Sequence, residues 1–291
     1  MEICLITGTS TGIGHATALH LARLGYKVYA SMRNAAKAEP LRERAAAENL
    51  PLVIETLDVS DNQSMLSCVQ RIIAAEGRID VLVNNAGLSS SSPIETYPED
   101  EHRAMFEANY WGPVKLTQAV LPSMCAHGRG AIVNISSLVG RLAWANQGAY
   151  CASKFAMEAF SEALAQEVAP LGIRVAIIEP GVIASAIFEN TPVHYDRASP
   201  YKSAMRRNGR FFNIGIANAT PAETVAEVIA EALSAEQPQL RYPVGFGSEI
   251  MARRAAMKDE DFIALGALDD PDYYQALRDH LGIELEPPVK D

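Results

Sequence analysis

Ile3-Cys-Leu-Ile-Thr-Gly-Thr-Ser-Thr-Gly-Ile-Gly14 stands almost at the start of the chain, and its order of residue types decides the fold. A short β-favouring run passes into glycines and small hydroxyl residues. Apolar residues at helical spacing (Ala18, Leu21, Ala22) then follow, up to Gly25. Glycines at such a strand-to-helix turn let the backbone bend sharply and approach a pyrophosphate. The free N–H groups and the dipole of the helix N-terminus stabilise that group. Gly8, Ser10, Thr11, Gly12, Ile13 and Gly14 are therefore candidate phosphate-binding residues. The spacing is GxxxGxG, not the commonly quoted GxGxxG. Gly8-Thr-Ser-Thr-Gly12 also has the GxSxG form of a hydrolase nucleophile turn. Such a hydrolase has several strands before its serine, whereas here the serine follows the first. The segment has no GK[ST] ending, so it is not a P-loop.

Working outward, strand-like runs at 27–32, 52–57, 80–83, 131–135, 173–178 and 240–243 alternate with helix-like runs at 35–49, 61–75, 99–124, 148–169 and 221–233. Asp61 is placed to cap the helix that follows it, and Pro113 and Pro122 interrupt the pattern of 99–124. Strict β/α alternation implies parallel strands, right-handed crossovers and helices on both faces of one sheet. The expected fold is thus α/β: a single-domain, doubly wound parallel sheet of Rossmann type. No linker or repeat divides the 291 residues. Ligands of such sheets bind beyond the carboxyl ends of the strands. The unusual residues fall there: 7–14, Arg33, Asp58 with Val59, Asn84-Asn85-Ala86-Gly87, Ser136-Ser137, and Pro180-Gly181 with Ile183 and Ser185.

A net charge of −10 argues against nonspecific binding to nucleic acid or anionic membranes. No apolar run approaches the roughly 20 residues of a membrane span, and no leader precedes the first strand. The cysteines (Cys4, Cys68, Cys125, Cys151) form no CxxC pair and the histidines form no ligand cluster. Reduced thiols, a cytoplasmic location and no metal are expected.

On the fifth helical run, Tyr150 and Lys154 are four residues apart and share a face. A phenol titrates near 10, too high for ready proton exchange at neutrality, and a neighbouring cation lowers it by roughly two to three units. That would make Tyr150 a general acid/base. At the end of the second strand, where an NAD-selective fold has an acid for the ribose 2′-OH, the chain has Arg33. An arginine there suits a 2′-phosphate, so NADP(H) is expected over NAD(H).

Taken together, Thr7–Gly14, Asp58-Val59, Asn84-Asn-Ala-Gly87, Asn109, Ser137, Tyr150-xxx-Lys154 and Pro180-Gly181 resemble the short-chain dehydrogenase/reductase family in its single-domain form. The resemblance covers about 2–185, with the motifs in the family's order. The segment after the second strand and the long C-terminal part look most like the 17β-hydroxysteroid and retinol dehydrogenase-like branch. This resemblance implies an NADP(H)-dependent interconversion of a ketone or aldehyde and an alcohol. Tyr150 would pass the proton, Ser137 would hydrogen-bond the substrate oxygen, and Lys154 would hold the nicotinamide ribose and lower the Tyr150 pKa. Asn109 would hold a water linking Lys154 to solvent. Asp58 would bind the adenine amino group, and Asn85, Ala86 and Gly87 would line the adenosine ribose. Thr11 and Arg33 would contact the 2′-phosphate, while Ile183 and Ser185 would fix the carboxamide. Ser185 stands where the family commonly has threonine. A homodimer or homotetramer through the helices near 99–124 and 148–169 is also implied.

Periodicity fades between 182 and 219, where the family places a substrate lid (186–219). Phe188, Tyr195, Tyr201, Met205, Phe211 and Phe212 could line an apolar pocket there. Lys202, Arg206, Arg207 and Arg210 form a positive cluster, read as the solvated face of the lid over the alternative of attracting an anionic substrate group. Beyond Gly247 come short amphipathic helices at 251–257, 261–268 and 272–281, a C-terminal extension over 247–282 that walls the site or joins a subunit contact. The competing functions are a dinucleotide-binding regulator without turnover and a nucleotide-sugar epimerase or dehydratase. The Ser137/Tyr150/Lys154 set disfavours the first. The little chain left after Ala184 disfavours the second.

Overall fold

Alternate residues of β1 (Ile3–Thr7) point to opposite faces of the sheet, and each face meets its own helices. The computed structural model describes residues 1–185, 187, 191–194 and 196–285. Cys4 and Ile6 pack against α1 (Gly12–Arg23) and α8 (Ala222–Ser234), in one core with Leu21, Val225 and Ile229. Ile3 and Leu5 pack against α3 (Asn62–Glu76), α5 (Gly112–His127) and α6 (Gly148–Val168), in a second core with Ile72, Leu116 and Leu164. The sheet continues with β2 (Lys27–Met32), β3 (Leu52–Thr56), β4 (Val81–Asn84), β5 (Gly130–Ile135), β6 (Ile173–Pro180) and β7 (Arg241–Val244). Its order is β3-β2-β1-β4-β5-β6-β7, all parallel. The order reverses between β1 and β4, so the expected doubly wound sheet has its crevice at their carboxyl ends. Asp61 caps α3 as expected, accepting from the N–H groups of Gln63 and Ser64.

The structure departs from the sequence expectation in three places. The 35–49 run is a 3-10 turn (Ala35–Ala38) followed by α2 (Glu39–Ala47), with Pro40 starting the second piece. The 99–124 run is α4 (Glu99–Phe106), a π-turn (Glu107–Trp111) and α5, and Pro122 is accommodated inside α5. In a regular α-helix the N–H of residue 113 would bond the carbonyl of Asn109. Proline has no N–H to offer, and the chain widens so that Gly112 donates to Glu107, five residues back. The third departure is α7 (Lys202–Ala217), where irregular chain was expected. Its inward face includes the polar Arg207 and Asn208, both buried, which interrupt the apolar stripe that would have marked a helix.

Arg207 also corrects the reading of the positive cluster as a solvated face. Its guanidinium donates to Asp270 (2.9 Å) and to the Leu268 carbonyl (2.6 Å), and lies 4.1 Å from the Tyr273 ring centre. Arg206 reaches the other Asp270 oxygen, and Arg210 lies over Tyr274. These cations clamp α7 onto α11 (Asp270–Ala276) and the Leu268 turn before it, which α9 (Ile250–Ala256) and α10 (Asp259–Leu265) precede in the C-terminal extension. The extension forms a third core in which Ile250, Leu265, Tyr274 and Leu281 pack with Leu138 and Leu142, next to the loop carrying Ser137. Asp270→Ala strands the buried Arg207 charge, so urea unfolding should show a loss of about 3 kcal/mol. A loss below about 0.5 kcal/mol would show the clamp to be incidental.

Candidate active site

Tyr150 and Lys154, one turn apart on α6, face the cavity at the carboxyl end of β5, with Ser153 between them. The Ser153 hydroxyl donates to the Tyr150 carbonyl (2.8 Å), and Lys154 Nζ donates to the Ile135 carbonyl (2.8 Å). Ser137 opens the turn after β5, accepting from the Val139 N–H (3.4 Å) and donating to the Pro180 carbonyl (3.5 Å), and its hydroxyl pulls the Tyr150 phenol pKa down. All three candidate catalytic side chains on this side, Ser137, Tyr150 and Lys154, line one cavity of about 980 Å3.

The Tyr150 phenol is not depressed as the spacing to Lys154 predicts. Burial pushes it up to about 12, against the pull of Ser137, because desolvation penalises the phenolate. Burial likewise pushes Lys154 down to about 8, against the charge of Glu158. The ammonium is drawn to the Ile135 carbonyl and lies 5.8 Å from the phenol ring centre, at the edge of cation–π range. What the structure presents at neutral pH is a protonated phenol beside a buried cation.

Asn109 does not line the cavity. Its side chain is buried and fully engaged, accepting from the Leu88 N–H (2.8 Å) and donating to the Leu88 carbonyl (2.9 Å) and Ser153 (3.0 Å). It thus ties the π-turn, the segment after β4 and the catalytic helix together. Its carbonyl lies where Pro113 withholds the regular helical donor.

Toward the other end of the crevice the cavity is lined by Gly8, Ser10, Thr11, Gly12, Ile13, Arg33, Asp58, Val59, Asn85, Ala86 and Gly87, and across the switch by Pro180, Gly181, Ile183 and Ser185. Gly14 is the exception. It packs under the loop, where a Cβ would lie 2.4 Å from the Gly8 carbonyl oxygen and from the Asn85 amide. Gly8 takes φ +71° and leaves no room for a Cβ against the Ala86 backbone. The Asn85 amide donates to the Thr7 and Gly8 carbonyls, so it shapes the glycine loop as well as lining the ribose side. Thr11 makes no side-chain cap on α1, and no acid stands in its first turn. The amides and dipole of that helix end therefore face the cavity without an internal anion. This glycine cradle with an uncapped helix end fits a dinucleotide pyrophosphate.

Burial pushes Asp58 up, but the Ser60 hydroxyl and N–H and the Arg33 charge outweigh it, so its carboxyl lies below the ordinary range. Sequence reasoning missed Lys37, which lines the cavity beside Arg33. It lies in the 3-10 turn (Ala35–Ala38) that follows the Arg33 bend.

On the substrate side Phe211 and Phe212 line the cavity as expected, whereas Tyr201 and Met205 do not; Phe188 and Tyr195 lie outside the described residues. Trp144, Phe246 and Ile250 supply the walls that the sequence did not mark. Trp144 stacks at 5.2 Å on Phe211, and Phe246 is placed by a bridge to Val182. No helix among the described residues is long and apolar enough to cross a membrane.

The family model for short chain dehydrogenases matches residues 2–195. The chain is 35% identical over 256 residues to an uncharacterized oxidoreductase of Bacillus subtilis, covering 86% of this chain and 91% of that one. It is 33% identical to the 3-ketodihydrosphingosine reductase of Bacteroides thetaiotaomicron (84% and 88% covered). It is 34% identical to the estradiol 17-beta-dehydrogenase 1 of Rattus norvegicus (89% and 77% covered). Among solved structures it resembles a short-chain dehydrogenase of Streptomyces avermitilis, with a TM-score of 0.78, 32% identity and 92% and 98% coverage. It also resembles a metagenomic short-chain oxidoreductase in complex with NADP, with a TM-score of 0.67, 27% identity and 84% and 96% coverage. A parallel sheet reversing between β1 and β4, a glycine cradle and Ser137, Tyr150 and Lys154 on one cavity agree with these matches: the chain belongs to the short-chain dehydrogenase family of NAD(P)-dependent oxidoreductases acting on CH–OH groups.

Proposed function

We propose that the protein reduces a bulky, mostly apolar ketone or aldehyde with NADPH, and oxidises the corresponding alcohol in reverse. The observation that carries this reading is a protonated phenol, Tyr150, sharing with Ser137 and Lys154 a cavity whose far end is a pyrophosphate cradle. NADPH, when bound, supplies the hydride that the carbonyl carbon takes up. Tyr150 gives its proton to the carbonyl oxygen, which Ser137 also binds, and the product is the alcohol. Lys154 holds the ribose hydroxyls and faces the phenolate left behind with a positive charge. Asn109 serves this centre by fixing Ser153 and by its carbonyl, a place to bind a water on the way from Lys154 to solvent. Arg33, Lys37 and Thr11 hold the adenosine end. The walls of Trp144, Phe211, Phe212, Phe246 and Ile250 favour apolar substrates such as the ketosteroid and long-chain 3-keto classes that the names of the relatives bring forward.

The test is NADPH consumption with a panel of steroid ketones, retinal, aromatic ketones and long-chain 3-keto compounds. We expect turnover of at least one bulky apolar carbonyl. NADPH binding without turnover across the panel would instead favour a dinucleotide-binding regulator.

A further inference from the structure

Behind the site, one turn beyond Lys154 on α6, a carboxylate is buried where packing alone would be better served by an apolar side chain. Glu158 is 5% exposed; one oxygen accepts from Arg241 of β7 at 3.0 Å, and the other has no hydrogen-bond partner among the described residues. Glu179, next to last in β6, is completely buried with neither oxygen hydrogen-bonded. Its nearest cations are Arg241 at 3.6 Å and Arg141, from the loop after the 138–140 turn, at 3.7 Å. Glu162, one turn further along α6, takes the other end of the Arg241 guanidinium at 2.6 Å. Glu158 also reaches the loop that carries the catalytic serine: a Cβ at Gly140 would lie 3.2 Å from its free oxygen and 2.5 Å from the Ser136 hydroxyl.

A buried carboxylate costs stability unless it is compensated, and two side by side cost more. Lys154 has the matching deficit. Lys154 is 5% exposed, and among the described residues its ammonium has one hydrogen bond, to the Ile135 carbonyl, and no carboxylate within ion-pair distance. Such an ammonium loses its proton readily unless an opposite charge nearby holds it. The i, i+4 spacing puts Glu158 on the same face of α6 as Lys154.

We propose that Glu158 is a positioning residue for proton transfer, its buried carboxylate keeping Lys154 in the ammonium form from one helical turn away. The inference rests on the functional reading in which Lys154 works as a cation. Of the buried carboxylates, Glu158 is the one that raises the Lys154 pKa, against the desolvation that brings it to about 8. Glu179 responds to the same charge: burial and then Glu158 push it up to about 7, against Arg141 and Arg241. Arg241 tempers Glu158 by sharing its field.

The experiment is a direct titration of Lys154 by NMR in protein labelled with 13C-lysine, the resonance being assigned by its loss in Lys154→Met. In the wild type the midpoint is expected at about 8. Glu158→Gln should lower it by about one unit. Glu179→Gln, which removes a neighbour of Glu158 without touching the Lys154–Glu158 pair, should leave it within about 0.3 unit. An unchanged midpoint in Glu158→Gln overturns the proposal, as does an equal fall in both variants, the mark of general loosening. If Glu158→Gln does not fold, Glu158→Met carries the test: it keeps the side chain's length, Arg241 retains Glu162, the midpoint should again fall, and a rise or no change overturns the proposal. The titration needs neither cofactor nor substrate, so failure of the carbonyl panel would refute the functional reading alone. In an enzyme that does turn over, the basic limb of the pH–rate profile should follow the same shifts, with KM for the carbonyl little changed.

Discussion

Tyr150→Phe is expected to slow carbonyl reduction by about 100- to 10,000-fold while NADPH affinity stays within about three-fold. The substitution removes one oxygen and keeps the ring, so the buried contacts of α6 persist. The Ser153 bond to the Tyr150 carbonyl is a backbone contact and is untouched. What is lost is the phenol proton, which faces the cavity with Ser137 of the turn after β5. The phenol is held near 12, so in the wild type it is protonated throughout the neutral range. The wild-type rate should therefore show no fall from loss of the phenol proton between pH 6 and 8. It should decline as pH rises through about 8, because the depressed Lys154 then gives up its charge in the free enzyme. Stopped-flow measurement of NADPH oxidation, with cofactor binding followed separately by fluorescence, checks both halves. Undiminished reduction by Tyr150→Phe would remove Tyr150 from the mechanism. A parallel loss of NADPH binding would mean that the ring, not the proton, was what mattered.

Local patterns in the sequence make most of this site legible. Strand ends bear the residues that face the crevice because a parallel doubly wound sheet has only one such edge, so alternation alone places Gly8, Arg33, Asp58, Ala86 and Ser185. Helical spacing does the same for Tyr150 and Lys154. It does not give the sign of the Tyr150 shift, which depends on how much water burial removes, a property of the whole packed site. Gly14 and Asn109 carry motif positions yet stand behind the cavity wall. A motif records that a residue type is needed there, and its role can be to shape the wall. The substrate face is least legible. Trp144 comes from the connection between β5 and α6, Phe246 and Ile250 from the stretch after β7, and they meet only beside the third core, which no periodicity announces. In α7 the polar Arg207 and Asn208 sit on the buried face, where they donate to Asp270 and Ser91, and those partners lie 63 and 117 residues away.

Arg33→Ala should weaken NADPH binding by about 10- to 100-fold and leave NADH binding within about two-fold. The cofactors differ only in a phosphate on the adenosine ribose, so the effect tests one contact. Arg33 follows β2 directly, is exposed, lines the cavity and makes no ion pair among the described residues. The carboxylate that would reject the phosphate is missing at this strand end. Asp58, the acid that feels the Arg33 charge, is turned to Ser60, whose N–H and hydroxyl it accepts at 2.9 and 2.6 Å. On a chain with a net charge of −10, a phosphate arriving here meets a repulsive background that only local cations reverse. One charge-assisted hydrogen bond is worth about 1.5–3 kcal/mol, which converts to the stated range. Lys37→Ala should cost less, about three-fold, because a flexible ammonium gives a point charge where a guanidinium gives a fork. Both losses should shrink as salt is raised from about 50 to about 500 mM, since the site is open to solvent. Fluorescence titration of the two cofactors against each variant decides the matter. If NADH binds the wild type as tightly as NADPH, or if Arg33→Ala weakens both equally, Arg33 is a surface charge and the cofactor preference must be sought elsewhere in the crevice.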